Sequence, residues 1–121
     1  MADNEKNFVE QPDQARKATL TQAAALLPGV DATPRSASVF RYGSMLVKLF
    51  APCGKDVQGP HKQDELYFVA HGCGWFINGD QRTRFQPNDM LFVPANVAHR
   101  FEDFSDDLML WVVFYGPQGG E

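Results

Sequence analysis

Two cysteines in 121 residues are too few for a disulfide framework. Cys53 and Cys73 are each expected as a reduced, unbridged and buried small hydrophobe. The N-terminal stretch MADNEKNFVEQ has no apolar region that would direct export, so a cytoplasmic location is expected. No apolar run approaches the ~20 residues of a membrane helix, and the longest, Leu108 to Tyr115, is strand-sized, which argues against a membrane partner. Basic residues are in deficit, with 11 Lys and Arg against 15 Asp and Glu and a net charge of −4. Phosphate binding needs clustered cations, so no nucleic-acid partner is expected. What the chain does have is apolar substance: 44% hydrophobic residues and ten Phe, enough for one packed core at this length.

Residues 1–18 are polar, contain Pro12 and show no period, and read as a flexible N-terminal arm. The domain is expected over 19–116. It opens with one short helix, for which Thr19 or Thr21 is the N-cap and Pro28-Gly29 the stop, and which serves as a lid over one end of a barrel. From Ser38 the pattern becomes short strands with turn punctuation: SVFRY, MLVKLFAP, ELYFVA, MLFVP, VAHRFED and LMLWVVFYG. Asn78-Gly79 between Trp75-Phe76-Ile77 and Arg82/Arg84 signals a hairpin with a type I′ turn. Asp106-Asp107 supplies the last turn, and 117–121 is expected as a loose tail. Seven or eight such strands indicate an all-β sandwich or small barrel.

The stretch GPHKQDELYFVAHG, 59–72, carries the chemistry. On an extended chain Glu65, Tyr67 and Val69 share a face, joined by His61 if the strand stays regular back to it. A carboxylate buried alone on a face of Tyr and Val costs several kcal/mol, so it needs compensation, for which a divalent cation suffices. A third ligand, His99, follows the MLFVPANVAHRF segment. With Glu65 as carboxylate, His61 and Gly72 fall on one motif; Pro94 and His99 fall on a second. The chain in this respect resembles the cupin superfamily, over about residues 38–115. The resemblance implies a double-stranded β-helix or jelly-roll barrel and a divalent metal, Fe, Mn or Zn, held by His61, Glu65 and His99. It departs from the pattern at Gly59, where the first motif histidine should stand. It also departs at Asn88 and Asn96, which replace glycines, and at Asp103, which replaces Asn. Asn tolerates the left-handed backbone that such glycines adopt.

The missing ligand leaves two imidazoles and one carboxylate, the set that holds non-haem iron with open positions. Gln58, Gln63 or Asp56 could lend an oxygen. Gln63 shares the parity of His61 and Glu65, although a turn there would break the alternation. Tyr67 and Phe101 could line the pocket, while Phe50, Phe92 and Trp111 are expected in the core. His71 is too far along the strand to ligate. Arg41, Lys48 and Arg100 are expected on exposed faces. The resemblance implies a small-molecule ligand or substrate and dioxygenase-like chemistry, with isomerase, decarboxylase or non-catalytic binding as alternatives. A homodimer is expected from the arm and from apolar strands needing cover.

Overall fold

The computed structural model describes residues 17–121, so all but the last two residues of the expected arm lie outside the described residues. The elements are α1 Leu20–Ala24, β1 Ser36–Tyr42, β2 Met45–Phe50, β3 Asp64–His71, β4 Gly74–Asn78, β5 Gln81–Phe85, β6 Met90–Val93, β7 His99–Glu102 and β8 Met109–Tyr115. They form a five-stranded sheet, β1-β2-β8-β3-β6, and a three-stranded sheet, β5-β4-β7. The pairings are antiparallel, and β8 returns from the far end of the chain to lie between β2 and β3. This is the expected all-β jelly-roll arrangement with one short helix.

The strands alternate as the sequence dictates. Glu65, Tyr67 and Val69 are all buried on the inner face of β3. With Phe50, Phe76, Phe85, Val93, Phe101, Leu108, Leu110 and Val112, the Tyr67 and Val69 side chains fill the space between the sheets. Each fully buried side chain of this size contributes about 1.5–3 kcal/mol. Phe101 sits at the centre of an aromatic cluster, 5.1 Å from the Tyr67 ring and 4.7 Å from that of Phe76.

The outer face is covered as well. Ala23 packs with Val39 and Leu49, so α1 lies on the outside of β1 and β2 instead of closing one end of the barrel. Thr19 caps it: its hydroxyl accepts from Gln22 N–H, and the Gln22 side-chain carbonyl accepts in return from Thr19 N–H, a capping box. The helix stops at Ala24, before Pro28.

Turn chemistry departs from expectation at one hairpin. Asn78 pairs with Gln81, so the two central residues are Gly79 and Asp80, with φ positive at Gly79 (62°) and not at Asp80. That is the pattern of a II′ turn, which takes glycine first, and not of I′. Gly72, between β3 and β4, has φ 92°, and a Cβ there would meet Ser105 Oγ at 2.7 Å and Leu108 Cα at 2.8 Å. Only glycine fits.

Four further expectations are corrected. Cys53 and Cys73 are exposed, because each falls in a connection and not on a strand's inner face. Phe92 is 48% exposed, since it alternates with the inward Leu91 and Val93 on a terminal strand of the large sheet. Tail residues are tied down: Gly119 N–H donates to Lys62 C=O at 2.6 Å and Glu121 N–H to Asp64 Oδ2 at 3.0 Å. Lys48 faces inward. Its register partner on β8 is Val112, whose partner on β3 is Tyr67, so the three share one cross-strand row on the inner face.

Candidate metal centre

Each sheet and one loop contribute a side chain to a single cluster. Glu65 is the second residue of β3 in the large sheet and His99 the first of β7 in the small one. His61 comes from the loop before β3, where a bend at Lys62 and Gln63 separates it from the strand. Two bonds fasten this loop to the turn that precedes His99. Asn96 N–H donates to His61 C=O at 2.7 Å, and Ala95 N–H donates to Asp64 Oδ1 at 2.8 Å. The turn itself depends on a left-handed residue, Asn96 at φ 68°. Asn88 (φ 77°) and Asp103 (φ 48°), the other two replacements in the second motif, are also left-handed. Short polar side chains adopt this conformation where glycine is usual.

One ligand atom each from His61, Glu65 and His99 lies within 4.8 Å of the others. Glu65 Oε1 is 3.0 Å from His99 Nε2 and 3.9 Å from His61 Nε2. The side chains of Glu65 and His99 are 1% and 0% exposed, whereas His61 is 33% exposed and forms the open side. His99 Nδ1 lies 2.9 Å from the Val97 carbonyl, an acceptor only, so Nδ1 carries the hydrogen and Nε2 presents a lone pair to Glu65 in the neutral ring. Despite the short distance, His99 Nε2 and both Glu65 oxygens are buried without a hydrogen bond of acceptable geometry. Either a proton or a cation must lie between lone pairs so placed. The residues therefore fit a metal: buried donors of the right type converge and are otherwise unsatisfied.

The electrostatics agree with the crowding. Burial lowers the His61 pKa, Glu65 pulls it up in part, and His99 and Lys48 push it further down. For His99 burial acts downward too, but the close approach of Glu65, the bond to the Val97 carbonyl and the charges of Glu65 and Asp56 outweigh it, and the net shift is upward. Tyr67 is held well above its usual value by burial and by Glu65, so its phenol stays protonated.

Gln58, the residue before Gly59, reaches His61. Its Oε1 is 3.0 Å from His61 Nε2 and accepts from Tyr67 O–H at 3.3 Å. The amide cannot turn over freely, because its Nε2 donates to Asp56 Oδ2 at 2.7 Å. Asp56 is itself buried and accepts from Phe101 N–H at 2.9 Å and Gln58 N–H at 3.2 Å. Asp56 thus orients Gln58 instead of offering an oxygen directly. Gln63 points elsewhere: the bend sends its amide to the Ser44 and Gly116 carbonyls at 3.1 and 2.9 Å. Phe101 packs in the aromatic core behind the cluster, while Tyr67 lines a recess in front of it. His71 and Arg100 are exposed, as expected.

That recess, about 80 Å³, is walled by Pro34, Ser36, Lys48, Phe50, Gln58, His61, Tyr67, Val112 and Phe114. An outer groove of about 600 Å³ shares Pro34, Phe50, Gln58 and His61 with it. Lys48 is the recess residue that sequence reasoning places on an exposed face. The available signal is its parity with Phe50 in MLVKLF, which sets both on one face.

The sequence profile of the Cupin domain family matches residues 48–115, more than half of the chain. An uncharacterized protein of Streptomyces coelicolor is 43% identical over 63 residues, 52% of this chain and 60% of that protein. The chain's match thus spans about three fifths of that curated relative. A crystal structure of a Thermus thermophilus protein is similar at TM-score 0.66 and 23% identity, covering 84% of this chain and 98% of that one. A cupin-2 domain containing protein from Shewanella frigidimarina is similar at TM-score 0.66 and 18% identity, covering 83% and 95%. At these identities the structural likenesses speak to the fold alone.

Proposed function

The chain belongs to the cupin domain family, and from that premise we propose that it binds one divalent metal ion through His61, Glu65 and His99 and acts on a small organic molecule held in the recess beside them. The observation that carries the reading is the buried, unsatisfied pair formed by Glu65 and His99, whose lone pairs meet at 3.0 Å. Two imidazoles and one carboxylate favour iron or manganese over a closed structural zinc site, and Gln58 Oε1 stands ready as a weak fourth donor. An ion so held supplies Lewis acidity and, as iron, reaction with dioxygen, so dioxygenase-like turnover is the leading reaction class.

The chain's own residues do the rest. Glu65 and His99 would hold the ion from two sheets, and Phe114 sets the His61 ring edge-on at 5.1 Å. Phe50, Tyr67, Val112 and Phe114 give the recess an apolar wall that holds a carbon skeleton and limits water. One observation favours a second reading, a metal-bearing binding module without turnover: Gly59 removes a histidine that the family pattern supplies. Metal analysis of the purified chain, followed by oxygen uptake with small organic substrates, separates the two. About one ion per chain with substrate-dependent oxygen consumption supports the enzyme; one ion without consumption supports the binder.

Exposed Met90 and Phe92 on the terminal strand β6 support pairing with a second copy, which light scattering tests. Two exposed free thiols support a reducing, cytoplasmic setting. Among the described residues no helix is long and apolar enough to cross a membrane.

A further inference from the structure

Lys48 stands in the middle of the large sheet, on a strand flanked by β1 and β8, with its side chain on the inner face. An inward lysine in that position is unusual, since a charged amine is seldom placed among core residues without a partner. Its neighbours along the recess are Phe50, Val112, Tyr67 and Phe114, which offer it no charge, together with Ser36, Gln58 and His61. Among the described residues it makes no ion pair with a carboxylate, and its electrostatic neighbours are Arg41 and His61. Glu65 and Asp56, the buried acids nearby, are engaged elsewhere: Glu65 with the two histidines, Asp56 with Gln58 and Phe101 N–H. The lysine therefore presents a cation to a recess that also presents His61.

We propose that Lys48 is the anion-recognition residue of this recess and that the small molecule bound there is a carboxylate, seated on Lys48 Nζ with its carbon skeleton along Phe50, Val112 and Phe114. For what lies opposite Lys48, the proposal rests on the metal reading above; the anion seat itself rests on Lys48. A monoanion fits better than a neutral ligand because it would supply the hydrogen-bonded counter-charge that the fold withholds. Burial, and then the Arg41 charge, lower the Lys48 pKa, and a bound anion would act against both. A lysine, as a compact point charge on a flexible stem, suits a single carboxylate without demanding the planar fork an arginine would impose.

The test uses the full chain loaded with Co(II), and the probes are propionate and benzoate with their neutral isosteres propionamide and benzamide. Affinities are read by calorimetry for the parent, Lys48→Met, Lys48→Gln and Lys48→Arg, and Co(II) affinity is measured separately for each. At least one carboxylate should bind tenfold or more tighter than its amide. Lys48→Met and Lys48→Gln should each lose that preference, with Lys48→Arg keeping most of it, while Co(II) affinity stays within about threefold of the parent. Two neutral variants guard against one of them failing to fold. If the parent binds neither carboxylate at millimolar concentration, or if the neutral variants bind the carboxylate as tightly as the parent, the anion site is wrong. Lys48-dependent carboxylate binding without Co(II) uptake would instead retain the anion site and discard the metal reading.

Discussion

His99 Nε2 and Glu65 Oε1 face each other at 3.0 Å across the gap between the two sheets, with His99 Nδ1–H already given to the Val97 carbonyl. In the absence of metal, the arrangement is relieved by a proton on His99, which is the direction in which its pKa moves. That contribution to stability is fully present below the ordinary histidine value and is lost as pH rises through the raised one. His61 runs the other way: its pKa is depressed, so its contribution is present above the ordinary value and lost as pH falls through the lowered one.

Metal uptake near neutral pH should therefore release a proton from His99, because a ligating imidazole must be neutral. Calorimetry in buffers of low and high ionisation enthalpy should give different apparent enthalpies between the ordinary and raised histidine values. The difference should vanish at higher pH. Identical enthalpies throughout would mean that His99 is neutral before the metal arrives.

Asp56 holds Gln58 by one charge-assisted bond and accepts two backbone N–H groups. Asp56→Asn turns an acceptor into a donor at one of these places and should destabilise the fold by about 1–3 kcal/mol. Metal affinity should fall by roughly tenfold, the usual effect of losing an orienting partner. A variant that melts lower yet binds metal as the parent does would show Gln58 to be irrelevant to the ion.

Gly59 has nothing within 4 Å of where a Cβ would stand, and its backbone is not left-handed. Gly59→His should fold with the parent's melting temperature, to within a few degrees, and raise metal affinity by about tenfold or more through an added imidazole. Unchanged affinity would place residue 59 out of reach of the centre.

Gly72 tests the fold instead of the site. Gly72→Ala combines a positive φ with a Cβ 2.8 Å from the Leu108 backbone, so it should cost about 2–5 kcal/mol in chemical denaturation. A cost under about 1 kcal/mol would mean that the β3–β4 turn rearranges freely.

The period-2 face of Glu65, Tyr67 and Val69 was legible in the sequence because strand parity is a local property, and the convergence of His61, Glu65 and His99 was legible through the resemblance of their spacing to the two family motifs. Three things were not. Gln63 has the right parity, but the bend at 62–63 that takes it away is set by the Ser44 and Gly116 carbonyls, which lie remote in sequence. Lys48 reads as a surface residue by composition, and only the β2–β8–β3 register shows it inside. Phe92 reads as core by composition, yet it sits on a terminal strand whose outer face among the described residues is left open. In each case the deciding contact is non-local.

That Glu65 and His99, with His61, bind a divalent ion is the proposal on which the functional reading turns. Thermal unfolding of the chelator-treated chain, with and without added Fe(II) or Mn(II), measured on the parent and on Glu65→Gln, tests it most directly. Metal at a hundredfold excess over its Kd should raise stability by about 2.7 kcal/mol in the parent, several degrees for a domain of this size. At a pH above the raised His99 value, where the imidazole is neutral and the Glu65 carboxylate is left without a counter-charge, Glu65→Gln should melt no lower than the metal-free parent and should show no such rise. A parent whose melting temperature is indifferent to metal, or a Glu65→Gln variant that gains as much as the parent, would contradict the account.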